Sequence, residues 1–353
     1  MNEVQKENGN GAADCELRAQ QRPGGSCAVQ MGDKFQPACM ATLRKRDGKL
    51  ERLIKSIHLS RPENYLSIYQ SGCNFSCRKC HSWDFSQKVT GDWFSVEELL
   101  TICRYYEKQV TLIEPRNKAT AWHAGESCRC CGQCVINGEK SPMCPGVLEP
   151  EQIILSPQGY GPARNIVAFT GGDLTCRAQF YAEFTQQVKA ETRLWILIET
   201  NGLGLTPKNL DKLQKAGVDA FWLDIKAYDD KAHNWLTGCT NQWILELPKE
   251  ILQRGFVLEV LSLYIPDLVE TDQLRQIAEL LCSASAEIPF TILAFFPEYK
   301  MMNFRVPTLD EMLEAYTAAK NVGLKNVRLG NIGVFAKTQS EVEKVIEMTG
   351  TAG

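Results

Sequence analysis

The 353-residue sequence predicts an α/β fold in which a parallel sheet, its strands joined by crossover helices, curls into a closed or partly open barrel. Two observations predict it. From Asn64 onward, short apolar runs alternate with helix-periodic segments in about six or seven units. Polar or glycine-rich turns follow each of the first four runs. In a parallel sheet these turns converge on the rim at the C-terminal strand ends, where such folds carry their sites. Ordinary turn chemistry explains one of them easily and four in register much less well.

Taken in order, residues 1–60 read as a polar, Gly- and charge-rich leader followed by a basic stretch, Leu43 to Lys55. They are expected to form an N-terminal arm ahead of a core over 61–340 and a tail over 341–353. Asn64 to Tyr69 alternates like a strand. Ser95-Val96-Glu97-Glu98 is a capping box that opens a helix to about Tyr106. Further strands are expected over Asn165–Phe169, Leu194–Ile198, Ala220–Ile225, Val257–Ile265, Phe290–Phe296 and Asn326–Leu329. Helices are expected over Ala178–Ala190, from Thr206-Pro207, near Trp243–Gln253, and over Thr271–Cys282 and Thr308–Ala319. Pro207 suits a first helical position, where its missing N–H costs nothing.

Composition narrows the class. With 39 basic and 42 acidic residues the formal charge is −3, so there is no strong nucleic-acid signal and no attraction to an anionic membrane. No apolar stretch reaches membrane-spanning length, and Met1 to Ala13 is polar, so a cytoplasmic protein is expected. The 15 cysteines are far too many for an ordinary cytosolic enzyme. Without a secretion signal they point to metal binding or redox chemistry rather than disulfides. The four histidines form no Ser/His/Asp or metalloprotease pattern.

Cys73, Cys77 and Cys80 stand in a C-x3-C-x2-C run directly after the first expected strand. Three soft thiolates in one loop can hold three irons of a [4Fe–4S] cube. The absent fourth cysteine leaves one iron open, and an open position separates a catalytic metal centre from a structural one. Cys128, Cys130, Cys131, Cys134 and Cys144 lie in an insert over about 113–146. Five thiols for a four-ligand site, with Pro145 after Cys144, point to a second metal centre, an auxiliary [4Fe–4S] cluster or a structural zinc. Cys15, Cys27 and Cys39 lie twelve residues apart, match no metal loop and are expected to be incidental thiols. Cys103, Cys176, Cys239 and Cys282 are expected to be small core residues.

Together these elements resemble the radical S-adenosylmethionine (SAM) superfamily over Glu63 to Phe335, most closely its pyruvate formate-lyase-activating-enzyme-like (glycyl-radical activating enzyme-like) group. The resemblance implies a partial (β/α)6 TIM-type barrel carrying the Cys-rich insert. It implies cluster ligation by Cys73, Cys77 and Cys80, with SAM chelating the open iron. Gly171, Gly172 and Asp173 match the family's Gly-Gly-Glu-Pro turn, which takes the SAM amino group. Glu199, Thr200 and Asn201 look like its acid-Thr-Asn-Gly turn, and Asp224 with Lys226 matches an acid-x-Lys pair near the SAM carboxylate. Ile265-Pro266 and Phe296-Pro297-Glu298-Tyr299 resemble landmarks on later strands. Three positions depart: Asp173-Leu174 replaces Glu-Pro, Lys79 stands where an aromatic residue usually packs on adenine, and Leu261 occupies the place of a SAM-binding Arg.

The implied activity is that of an anaerobic oxidoreductase. A reduced cluster passes one electron to bound SAM, and the 5′-deoxyadenosyl radical abstracts hydrogen, in the named group from a glycine of a partner enzyme. The implied partners are SAM, a reductant such as flavodoxin or ferredoxin, and a protein substrate. Two other readings stay open: a radical SAM enzyme modifying a peptide, tRNA or small molecule, and, in another class, a non-catalytic iron–sulfur or zinc electron-transfer protein. His81, beside the loop, is either a donor to sulfur or a plain loop histidine.

Overall fold

The structure is a computed structural model and describes residues 15–350, so the polar stretch Met1 to Ala13, the first part of the arm expected over 1–60, lies outside the described residues. Seven parallel strands form its centre: β1 (Leu66–Gln70), β2 (Ile166–Gly171), β3 (Trp195–Thr200), β4 (Ala220–Asp224), β5 (Val257–Tyr264), β6 (Phe290–Ala294) and β7 (Val327–Gly330). Each pairs with the next in sequence, and β1 and β7 do not pair with each other. Six crossovers therefore join an open, barrel-like sheet, the α/β architecture expected from the alternation of strands and helices.

The crossovers use helices α1 (Val96–Glu107), α2 (Ala178–Glu191), α3 (Pro207–Ala216), α4 (Asp230–Thr237), α5 (Leu247–Gln253), α6 (Thr271–Ala284) and α7 (Leu309–Asn321). Strand side chains alternate between two faces, and the two faces bury different things. Val167, Phe169, Ile196, Ile198, Phe221, Leu223, Leu258 and Val260 pack into one core with Leu99, Phe180, Phe184, Leu210 and Leu213 of the helices. The inward set, Ile166, Ala168, Leu197 and Ala220, clusters instead with Tyr65 and with Ala119 and Ala121 of the insert. At the start of α1 the Glu98 N–H donates to Ser95 Oγ at 3.3 Å while the Glu98 carboxylate accepts from the Ser95 N–H at 2.8 Å, the expected capping box.

The sheet also extends upstream of β1. Leu43–Arg46, Lys49–Leu59 and Asp92–Ser95 join it through antiparallel pairing. Their charges read as surface, yet Arg52 is fully buried, donating to the carbonyls of Thr42 at 3.1 Å and Gly72 at 3.3 Å. Helix α4 was not expected, because eight residues give periodicity little room; Asp229 caps it by accepting from the Ala232 N–H at 2.8 Å. Among the described residues no helix is long and apolar enough to cross a membrane.

The insert enters the barrel from the N-terminal ends of the strands. Ala119 and Ala121 lie against Tyr65, Ile166 and Ala220 at those ends. Trp122 N–H donates to Glu259 at 2.9 Å, and Arg328 donates to the Trp122 carbonyl at 3.1 Å. Fully buried Arg164 pairs with Glu114 at 2.5 Å and donates to the carbonyls of Lys118, Thr120 and Glu63 at 2.7, 2.8 and 3.1 Å.

Candidate active site

The Cys73–Cys80 loop leaves the C-terminal end of β1 and is held from three sides. Behind it, the Ser76 and Arg78 N–H groups donate to the carbonyls of Thr237 and Leu236 at 3.0 and 2.8 Å. These are last-turn carbonyls of α4, which have no partner within their own helix. Beside it, the Asn74 N–H donates to the Asp173 carbonyl at 2.9 Å. A Cβ on Gly172 would lie 2.1 Å from the Gly72 carbonyl oxygen, so only glycine lets the turn after β2 lie this close to the loop. Across it, Glu298 pairs with Lys79 at 2.5 Å and His81 at 3.1 Å, while the Lys79 ammonium stands 3.6 Å over the Phe296 ring.

Cys73 and Cys77 are buried and Cys80 is half-buried. Cys73 Sγ accepts from the Phe75 N–H at 3.5 Å and from the Asn201 side-chain amide at 3.7 Å, and Cys80 Sγ lies 3.1 Å from Ser86 Oγ. Burial, with Asp173 second, pushes the Cys73 thiol up to about 12. Burial also raises Cys77 well above its usual range, against the pull of nearby Lys226. The His81 side chain is 81% exposed and paired with Glu298.

The four turns do converge. Asp173 Oδ1 accepts from the Thr175 N–H at 2.7 Å, and its Oδ2 accepts from Thr200 Oγ1 at 2.7 Å and the Asn201 N–H at 2.9 Å. Asn201 donates to Asn74 Oδ1 at 2.6 Å, so the turn after β3 is tied to the cysteine loop. Lys226 pairs with Asp224 at 2.6 Å; burial alone would lower its ammonium, but Asp224 and Cys77 hold it above its usual range. Sequence reasoning missed Asn74, Ser86, Tyr65 and Thr170, whose roles depend on partners far away in the chain.

Glu199, on the inner face of β3, accepts from Tyr65 Oη at 3.0 Å and Thr170 Oγ1 at 2.5 Å. Burial, against the help of Thr170, raises its carboxyl from 4.5 to about 8. The unfolded chain ionises near 4.5 while the fold keeps Glu199 neutral to about 8. Its contribution to stability is therefore full at acid pH and is lost as pH climbs through that window. Glu199→Gln is expected to flatten the fall in stability between about pH 5 and pH 8 in anaerobic urea titrations, and an unchanged slope would count against this assignment.

The insert cysteines lie elsewhere. Cys130 Sγ is 3.2 Å from Asn64 Oδ1, just ahead of β1 and so at the rim opposite the cysteine loop. A hydrogen bond from Cys128 brings Cys130 down to about 7 against the effect of burial, helped by Asn64 and Arg61. Cys131 is exposed and Cys134 and Cys144 are half-buried. Among the described residues, no three His, Cys, Asp or Glu side chains are grouped to hold one metal ion.

Residues 126–281 match the family model described as the radical SAM superfamily. Over these residues the chain matches a radical SAM domain. A curated relative from Methanocaldococcus jannaschii, named "Putative glycyl-radical enzyme activating enzyme", is 28% identical over 184 residues, 51% of this chain and 68% of that protein. SuiB of Streptococcus suis, solved bound to S-adenosylmethionine, aligns at TM-score 0.51 and 13% identity over 78% of this chain, which spans 52% of that one. That similarity supports the radical SAM fold. A domain of a pyruvate-formate lyase-activating enzyme from Bacteroides vulgatus aligns at TM-score 0.39 and 15% identity over 47% of this chain and 98% of that one, too loosely to bear on the argument.

Radical SAM proteins take a [4Fe–4S] cluster and SAM, and the residues present fit the cluster. Three thiols in one loop form a soft donor set, with an N–H and an amide aimed at Cys73, a hydroxyl at Cys80 and an ammonium near Cys77. A cube takes one thiolate per iron, so its ligands stand farther apart than those of a single ion.

Proposed function

We propose that this chain cleaves SAM reductively at a [4Fe–4S] cluster held by Cys73, Cys77 and Cys80, and that it abstracts hydrogen from a glycine of a partner protein. The observation that carries the reading is the three-sulfur loop itself, buried, furnished with donors and joined by hydrogen bonds to the turns after β2 and β3. When bound, the cluster supplies one electron to the SAM sulfonium and so starts the radical chemistry. The protein's residues position the reactants and keep water out. Gly171 and Gly172 bring the turn's backbone against the loop, and Asp173 locks the turns after β2 and β3 together, since both its oxygens are already taken. Glu199, Thr200, Asn201, Asp224 and Lys226 are the residues that would hold SAM, and the Lys226 ammonium offsets negative charge beside Cys77.

Glycine as the target rests on the M. jannaschii relative. On the same reading the reductant is a flavodoxin or ferredoxin, the compartment is the cytoplasm, and Cys128, Cys130, Cys131, Cys134 and Cys144 supply a second [4Fe–4S] or zinc centre. The test is anaerobic incubation of the reduced, iron-loaded chain with SAM. Equal amounts of 5′-deoxyadenosine and methionine are expected, and no product from iron-replete protein would overturn the proposal. An organic radical in a co-incubated glycyl-radical enzyme, read by EPR, decides the glycine step.

A further inference from the structure

Four cysteines that the site above does not use meet on one cavity against the back of the cysteine loop. Cys15, Cys27, Cys39 and Cys176 line it, together with Asn74 and Arg177. They come from separate places in the chain: the residue before helix Glu16–Ala19, the segment ahead of the hairpin Ala28–Met31/Lys34–Pro37, helix Ala38–Ala41, and the turn Thr175–Arg177 after β2. The even spacing of the first three therefore misleads, because their fourth partner lies 137 residues beyond Cys39. All four are free thiols. After burial, Cys39 is the largest influence raising both Cys27 and Cys176, which shows how closely the set is drawn together. Arg177 donates to Cys39 Sγ at 3.5 Å and pairs with Glu16 at 3.3 Å, so a cation faces the sulfurs.

The segment carrying Cys15, Cys27 and Cys39 is built from short elements, anchored to the core by Leu17, Val29 and Ala38. Its helices are four residues long, and its hairpin has two four-residue strands, one of which exposes three of its four residues. Elements this short are marginal alone, and metal binding is a common source of the missing folding energy.

We propose that Cys15, Cys27, Cys39 and Cys176 together ligate a [4Fe–4S] cluster. Four soft thiols around one cavity suit an iron–sulfur cube, which takes one thiolate at each corner iron. Four thiolates close every iron, so the centre serves structure and electron passage and takes no substrate. It sits immediately behind the site. Asn74 lines the cavity, and its carboxamide oxygen lies 3.8 Å from Cys73 Sγ. The proposal stands apart from SAM cleavage, since it concerns cysteines outside the Cys73 loop.

The test counts iron, acid-labile sulfide and zinc in full-length chains assembled anaerobically with iron and sulfide, each checked for wild-type far-UV circular dichroism. Cys27→Ser/Cys39→Ser is expected to lose about four irons and four sulfides per chain relative to wild type, while keeping the SAM-responsive EPR signal of the Cys73 loop. Cys103→Ser/Cys282→Ser is expected to lose none. A chain with Ser at Cys73, Cys77, Cys80 and the five insert cysteines is expected to keep about four irons. Unchanged iron in the first variant, no iron in the last, or zinc in place of iron at these cysteines would overturn the assignment.

Discussion

Cys77→Ala is expected to bring 5′-deoxyadenosine formation down to background, roughly a thousandfold loss or more. Cys77 is the middle ligand of the proposed triad in sequence and is 8% exposed. Removing it leaves two thiolates for a group that needs three. Cys73→Ala and Cys80→Ala should behave alike, while the fold persists because the loop is held by backbone bonds to Thr237, Leu236 and Asp173. The measurement is product formation by reduced, iron-loaded protein under anaerobic conditions. Activity surviving in all three variants would sink the proposed function. Total iron will not report on the triad by itself, since cysteines elsewhere are proposed to hold further metal.

Arg164→Met is expected to cost the fold about 3–5 kcal/mol, because it strands the Glu114 carboxylate where burial already raises it and leaves three insert or strand-entry carbonyls without their donor. Adding Glu114→Gln should recover part of that loss by removing the unpaired charge. Anaerobic urea midpoints measure both variants. A single Arg164→Met change within about 1 kcal/mol of wild type would show that the buried pair does not hold the insert.

What the sequence revealed depended on how local each signal was. Strands β2 to β7 stood out because they are short apolar runs bounded by turns, and the loop cysteines because their spacing is short. Arg52 and Arg164 hid their burial, since arginine reads as surface until its partners are in view. The tie between Asp173, Thr200 and Asn201 was legible only as two glycine-rich turns, with nothing in either to say that they share one carboxylate. The meeting of Cys39 with Cys176 joins positions on either side of β1 and the whole insert, so no pattern of spacing could have announced it.

The insert residues Ala119, Ala121 and Trp122 do more than pack against the N-terminal ends of the strands. The sheet is an unfinished arch, with β1 and β7 never meeting, and this segment touches both sides: Tyr65 at the foot of β1 and Arg328 on β7. It acts as a keystone, setting how far the first and last strands stand apart. A protease cut there would be felt at the distant rim as a widening of the span, and the Cys73 loop and the turns opposite it would drift out of register without any of their own contacts being touched.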